Sequence, residues 1–197
     1  RYADVSVNSL TKYTASEGDV LAGCVVVNPQ SPWSMDFRRL LPGELEPVYS
    51  RDLGRLATQI SDCEPLIAQI NRTTPAIVEF LRQHPRVKNV WWSLHPDSRD
   101  NYLKIARSPE AVGSMISFTV ENLTDFYDRL RLPKGPSFGM KTTLICPFIY
   151  LAHYDLVTSE SGRAILASAG LDPELLRLSI GAEPAADIIG SLAEALG

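Results

Sequence analysis

The 197-residue chain reads as an α/β protein in two parts. The tail of an α/β sheet, up to about residue 45, is joined by a long helix to a small α+β domain that begins near residue 60. Three observations predict this. Two strand-like runs stand at the start, "ADVSVN" and "VLAGCVVVNP". A helical stripe follows, with Leu53, Leu56, Ile60, Cys63, Ile67 and Ile70 three or four apart. Four short strand-like runs then alternate with amphipathic segments, near 87–93, 114–120, 138–145 and 175–180. These strands are expected to form a mostly antiparallel sheet with helices on one face. The domain boundary is expected between residues 59 and 60.

Each element has its own signal. Residues 3–8 alternate apolar and polar, as a strand does. "SLTKYTASEGD" is a polar loop with turn residues. The β-branched run stopped by Asn28-Pro29 reads as a second, buried strand. Residues 30–44, with Pro32 and "PGE", read as irregular. From Glu44 to Gln83 the pattern is helical, with Pro65 and Pro75 expected to kink or break it. "HPRVKNVWWSLHP" is a short strand between prolines, and alternation places one of Trp91 and Trp92 in the core. A weak helix is expected near 99–107, then the strand "GSMISFTV". "NLTDFYDRLRL" is an amphipathic helix that Asn122 or Thr124 caps. "KGPSFGMKTTLI" turns into a strand, and "SESGRAILASAG" is a helix ended by Gly170. "ELLRLSIG" is the last strand. "EPAADIIGSLAEALG" closes as a helix with Pro184 in its first turn.

Composition narrows the function classes. Hydrophobic residues make up 45% and charged residues 21%, within the globular range. A net charge of -4 argues against a nucleic-acid binder that works by neutralising phosphates. No apolar run is long enough to span a bilayer, and no membrane partner is expected. Cys24, Cys63 and Cys146 are widely spaced, with no CxxC pair. They read as buried free thiols in a reducing, cytoplasmic setting. His84, His95 and His153 stand far apart, so no metal site is expected.

Two residues are candidates for chemistry. Lys12 directly follows a strand, with Ser9 and Thr11 beside it. A lysine that is neutral part of the time attacks a carbonyl to form an imine, and neighbouring hydroxyls suit a phosphate. A solvated loop lysine has the same local sequence. Arg177, in "LLRLSIG", carries a planar fork that matches a carboxylate with two parallel hydrogen bonds. A strand arginine that faces solvent is the alternative there.

The longer context of both residues resembles one family. "ADVSVNSLTKYTASEGDVLAGCVV" is similar to the pattern "ADIVVHSATKYxxGHSDVxxGxVV" around the Schiff-base lysine of the Cys/Met-metabolism family of pyridoxal-phosphate enzymes. Ala3-Asp4, Ser9, Thr11-Lys12-Tyr13, Asp19-Val20 and Gly23 fall in register. "LLRLSIGAEP" resembles that family's closing "LVRLSVGIED", and "SFGMKTTLICPFIYLAH" its "SLGGVESLIxHPAxMTH". The resemblance extends over essentially the whole chain. It implies the large cofactor domain's tail joined to the small C-terminal domain of that fold. It also implies a trans-sulfuration enzyme acting on sulfur amino acids or O-acylhomoserine, of the cystathionine gamma-synthase or lyase kind.

In this resemblance Lys12 carries pyridoxal 5'-phosphate as an internal aldimine, and Ser9 and Thr11 hold its phosphate. Ser137 and Arg177 hold the substrate carboxylate. A homo-oligomer, dimer or tetramer, is also implied. Ser16-Glu17 stand where the family has Gly-His, Lys141-Thr142 replace Val-Glu, and Pro147-Phe148-Ile149 replace "HPA". These changes bear on the substrate. In the family the glycine-rich phosphate loop, the aromatic on the pyridine ring and the aspartate at the ring nitrogen all precede the lysine by many residues. The 197 residues are therefore expected to be part of a longer protein and inactive alone. A non-catalytic dimerisation or binding module derived from the same family is the alternative.

Overall fold

The structure, a computed structural model, describes residues 3–197 and falls into two units, one up to Cys63 and one over Glu64–Gly197. In the first unit β1 (Val5–Ser9) runs antiparallel to β2 (Gly23–Val27), pairing Val5 with Val27 and Ser9 with Gly23. The loop between them makes a 3-10 turn at Tyr13–Ala15. β2 is not the buried strand that its β-branched run predicts: Val26 is 55% exposed and Cys24 is half-buried. A two-stranded ribbon gives each residue one neighbouring strand, which is too little to bury side chains on both faces.

Residues 30–44 also depart from the sequence reading. α1 (Ser34–Glu44) is a helix, with Pro42 in its last turn. None of its residues is buried, so the sequence carries no apolar stripe by which to recognise it. An Asp36–Arg39 pair on successive turns, 3.1 Å apart, lies on its surface. α2 (Ser50–Gln59) follows and buries Leu56 and Gln59. The small core of this unit is Ala15, Val20 and Leu56, with Leu10 and Ala22 packed against it.

The expected continuous stripe is broken. A 3-10 turn at Ile60–Asp62 separates α2 from α3 (Cys63–Gln83). Leu53 and Ile60 are more than half exposed, and α3 buries Leu66, Ile70, Ile77, Val78 and Leu81 instead. A turn with three residues per repeat shifts the phase of everything after it, so one spacing cannot run through both helices. Pro65 falls in the first turn of α3, where a missing N–H costs nothing. Pro75 lies inside α3 without ending it, and beside it the Thr74 hydroxyl donates to the Ile70 carbonyl at 2.9 Å.

The second unit is built on a four-stranded sheet in the order β3 (Val87–Trp91), β4 (Met115–Val120), β6 (Leu176–Ser179), β5 (Leu144–Pro147), every neighbour antiparallel. The register sorts side chains into two faces. Ile116 stands opposite Leu178, which stands opposite Ile145, and all three are fully buried. Phe118 stands opposite Leu176 in the same core. The intervening row, on the other face, runs Trp91–Ser117–Arg177–Cys146.

Helices accompany the sheet. α4 (Arg99–Ile105) and α5 (Leu123–Arg129) lie on either side of β4 in the chain. α5 is capped by Asn122, whose side chain accepts from the Asp125 amide at 3.1 Å. Its Phe126 meets Phe118 edge-on, with ring centroids 5.9 Å apart. α6 (Phe148–Ala152), α7 (Tyr154–Thr158) and α8 (Glu160–Ser168) link β5 to β6, and Gly170, at φ +66°, ends the last of them. α9 (Ala185–Leu196) buries Ile188, Leu192, Ala195 and Leu196.

Two expectations are corrected in this unit. β5 begins at Leu144, not near 138, because Gly139, at φ +69°, turns the preceding segment out of line. Neither Trp91, 37% exposed, nor Trp92, half-buried, is in the core. β3 is an edge strand, Val90 takes the place opposite Phe118, and Trp92 lies past the strand's end. Among the described residues no helix is long and apolar enough to cross a membrane.

Candidate active site

Lys12 stands at the head of the 3-10 turn, half-buried, at φ -96° and ψ -118°. Its carbonyl accepts from the Ala15 amide at 3.1 Å. The chain just before it is tied to the residue that precedes β2. The Leu10 and Thr11 amides both donate to the Ala22 carbonyl, at 2.9 and 3.2 Å. The Thr11 hydroxyl accepts from the Ala22 amide at 3.0 Å and donates to the Ala22 carbonyl at 3.2 Å. Ser9, the last residue of β1, is exposed and opposite Gly23.

The far side of the loop is splinted by α2. Asp19 accepts from Gln59 Nε2 at 2.8 Å and from Arg55 Nε at 2.6 Å. The Glu17 amide donates to Gln59 Oε1 at 3.1 Å, and the Leu21 amide to Asp52 at 3.0 Å. Hydrogen bonds from Gln59 first, and then Arg55, hold the Asp19 carboxyl below its ordinary pKa. The segment 17–21 is therefore fixed on both sides of Asp19, and Gln59 earns its burial by bonding at two points.

In the second unit Arg177 sits on the face of the sheet away from Ile116 and Leu178. Cys146 is its direct cross-strand neighbour on β5, and Ser117 on β4. Its Nη2 donates to the Pro136 carbonyl. Its guanidinium carbon lies 4.6 Å from the centre of the Phe148 ring and 5.8 Å from that of Phe138. Cys146 is its cross-strand partner, so the thiol and the guanidinium start from adjacent positions on the same face. Burial pushes the Cys146 thiol up, and Arg177 opposes that rise. Ser137 follows Pro136 directly, so it lies on the segment that touches Arg177.

The loop that carries Ser137 is fastened to the end of β6. The Gly139 amide donates to the Ser179 hydroxyl at 3.2 Å, and the Ala182 amide to the Lys141 carbonyl at 2.7 Å. Both oxygens of Glu183 receive Thr143, one its amide and the other its hydroxyl, each at 2.7 Å. The fully buried Thr143 hydroxyl in turn accepts from the Gly181 amide at 2.9 Å. Gly181 is needed here, because a Cβ would lie 2.4 Å from the Lys141 carbonyl oxygen.

Thr11 and Lys12 thus share one loop with Ser9 at the strand end before it, and Ser137 adjoins the Pro136 carbonyl that Arg177 reaches. Phe138, Cys146, Phe148 and Glu183 are the residues that sequence reasoning missed. The only signal for the phenylalanines was their departure from the leucine and proline of the similar pattern. Among the described residues no cluster of His, Cys, Asp and Glu is arranged to hold a metal ion.

The chain is similar to known proteins over nearly its whole length. The family model described as Cys/Met metabolism PLP-dependent enzyme matches residues 2–197. L-2-amino-4-chloropent-4-enoate dechlorinase/desaturase of Streptantibioticus cattleyicolor is 39% identical over 92% of this chain and 37% of its own length. Cystathionine gamma-synthase of Neurospora crassa is 30% identical over 100% of this chain and 31% of its own. The crystal structure of cystathionine gamma synthase from Xanthomonas oryzae pv. oryzae, in complex with cystathionine, superimposes with a TM-score of 0.80 at 27% identity. It is matched over 99% of this chain and 50% of that one. The chain spans between about a third and a half of the relatives it matches.

Proposed function

The chain belongs to the Cys/Met metabolism family of pyridoxal-phosphate-dependent enzymes, and on that premise we propose that its parent protein transforms L-α-amino acids with a leaving group on the γ-carbon. Sulfur amino acids such as methionine, and O-acylhomoserine, are such substrates, and the chlorine named in the substrate of the Streptantibioticus cattleyicolor relative, at carbon 4, is also on the γ-carbon. The observation that carries the reading is the Arg177 cluster. A guanidinium is held by a carbonyl and two rings, on a segment that adjoins a serine, and still has N–H groups left for a carboxylate.

The residues present fit the cofactor in part. Lys12 offers an amine on a splinted loop, and Ser9 an exposed hydroxyl two residues before Thr11. The single proton of the Thr11 hydroxyl goes to the Ala22 carbonyl over 3.2 Å, a long neutral bond. A charged phosphate oxygen is the stronger acceptor and can take that proton instead. Pyridoxal phosphate, when bound, supplies an electron sink for the bonds at the substrate α-carbon. Lys12 would hold the cofactor through its amine, and the same amine would move protons at the substrate α- and β-carbons. Arg177 and Ser137 fix the carboxylate, which sets the direction of the α C–H bond. On this reading the 197 residues alone do not turn over, because the acid at the ring nitrogen and the stacking aromatic come from elsewhere in the parent.

Lys12→Ala in the complete protein is expected to abolish the cofactor's visible absorbance and lower turnover at least about a thousandfold. Retained turnover would sink the assignment. The second reading is a non-catalytic dimerisation or binding module. Its support is the Thr11 hydroxyl already paired in both directions with Ala22, together with the altered Ser16-Glu17 and Lys141-Thr142. A complete protein that never binds pyridoxal phosphate favours it.

A further inference from the structure

Resting on the reading of Arg177 as the carboxylate anchor, we propose that Phe148 and Phe138 are positioning residues, whose rings pre-set the Arg177 guanidinium for the substrate carboxylate. Arginine is a long side chain with many rotamers. If it is ordered only when substrate arrives, that ordering is subtracted from the binding energy; if it is ordered beforehand, it is not. Both rings lie within cation–π reach of the guanidinium carbon, at 4.6 and 5.8 Å.

The rings are themselves fixed. The Phe148 amide donates to the Leu175 carbonyl at 3.0 Å, and its side chain packs against the buried cluster of Ile149, Val157 and Leu166. Phe148 also meets the His153 ring edge-on at 6.3 Å. Phe138 precedes Gly139, whose amide bonds Ser179 on β6, the strand that carries Arg177. The Pro136 carbonyl occupies part of the fork, which leaves other N–H groups for a carboxylate. Apolar rings beside the anchor also lower the local dielectric, and so strengthen the guanidinium–carboxylate attraction. Leucine and proline stand at these two positions in the similar pattern, where this chain has Phe138 and Phe148.

The test measures dissociation constants of L-methionine and L-methioninamide on the complete, cofactor-loaded protein. The amide keeps the side chain and lacks the carboxylate charge. Phe148→Leu keeps apolar bulk and is expected to weaken L-methionine about three- to tenfold, with the amide and the cofactor itself within about twofold. Phe148→Tyr, which keeps a ring, is expected to match wild type. In an Arg177→Ala background, Phe148→Leu is expected to add less than about twofold. Equal weakening of acid and amide, or an undiminished effect in that background, overturns the proposal and makes Phe148 ordinary packing. If Arg177→Ala does not weaken L-methionine relative to the amide, or wild type does not prefer the acid, the anchor reading itself falls, and the proposal with it.

Discussion

The segments that carry Lys12 and Arg177 rest on different balances of polar bonding and apolar burial. In residues 3–63 the lysine loop is fixed by polar bonds: Thr11 to Ala22, Asp19 to Gln59 and Arg55, Glu17 to Gln59. The buried apolar core beneath them is Ala15, Val20 and Leu56. In residues 64–197 the arginine is on a sheet whose opposite face buries Ile116, Phe118, Ile145, Leu176 and Leu178 completely, and rings close around its guanidinium. A polar clasp with a small core responds to pH and to single hydrogen bonds. A sheet with a full core responds to lost volume.

Core truncation gives the largest expected effect. Phe118→Ala is expected to destabilise the second unit by about 3–5 kcal/mol, because a large ring leaves a close-packed site. Leu56→Ala, in a thinly packed cluster, is expected to cost the first unit about 2 kcal/mol. Denaturant unfolding followed by NMR signals from each unit checks both, and equal costs would break the comparison.

The next effect is that of pH. The folded carboxyl of Asp19 titrates below the ordinary value of 3.8, so the unfolded chain takes up its proton first. The stability it contributes is present above that ordinary pKa and is lost as pH falls through the lower, folded one. The Leu10 and Thr11 amide signals are expected to shift toward unfolded positions over that acid range, and Asp19→Asn to remove this dependence while loosening the loop at neutral pH. Signals from β4 and β6 are expected to be insensitive to the substitution. If they move as much as those of the lysine loop, the clasp is not local.

Thiol labelling gives the smallest effect. Cys24 and Cys63 are half-buried, whereas Cys146 is 2% exposed with its pKa raised chiefly by burial. A thiol reagent at mildly alkaline pH is expected to modify Cys146 at least about tenfold more slowly than the other two. Comparable rates would mean that the Arg177 face opens readily.

Much of the fold was legible because it rests on local chemistry. The alternating runs gave β1, β3, β4 and β6 to within a few residues, Asn122 marked the start of α5, and Gly170 the end of α8. α1 was not legible, since a helix with no buried residue has no periodic stripe. The phase break at Ile60–Asp62 was hidden because apolar spacing by itself does not show where a turn tightens. For the candidate site, the neighbours of Lys12 and the strand of Arg177 were written in the sequence. What surrounds each of them was not.

The sequence by itself singled out the residues proposed for chemistry here: an amine preceded by hydroxyls, a fork that matches a carboxylate, and the family pattern in which both stand. Tertiary structure decided what holds them. Gln59 reaches Glu17 and Asp19 from 42 and 40 residues away, and Pro136 reaches Arg177 from 41. Such partners are chosen by the register of β5 on β6 and by the docking of α2 on its loop. Those are set by the burial of whole faces, which no spacing between neighbours in the chain can encode.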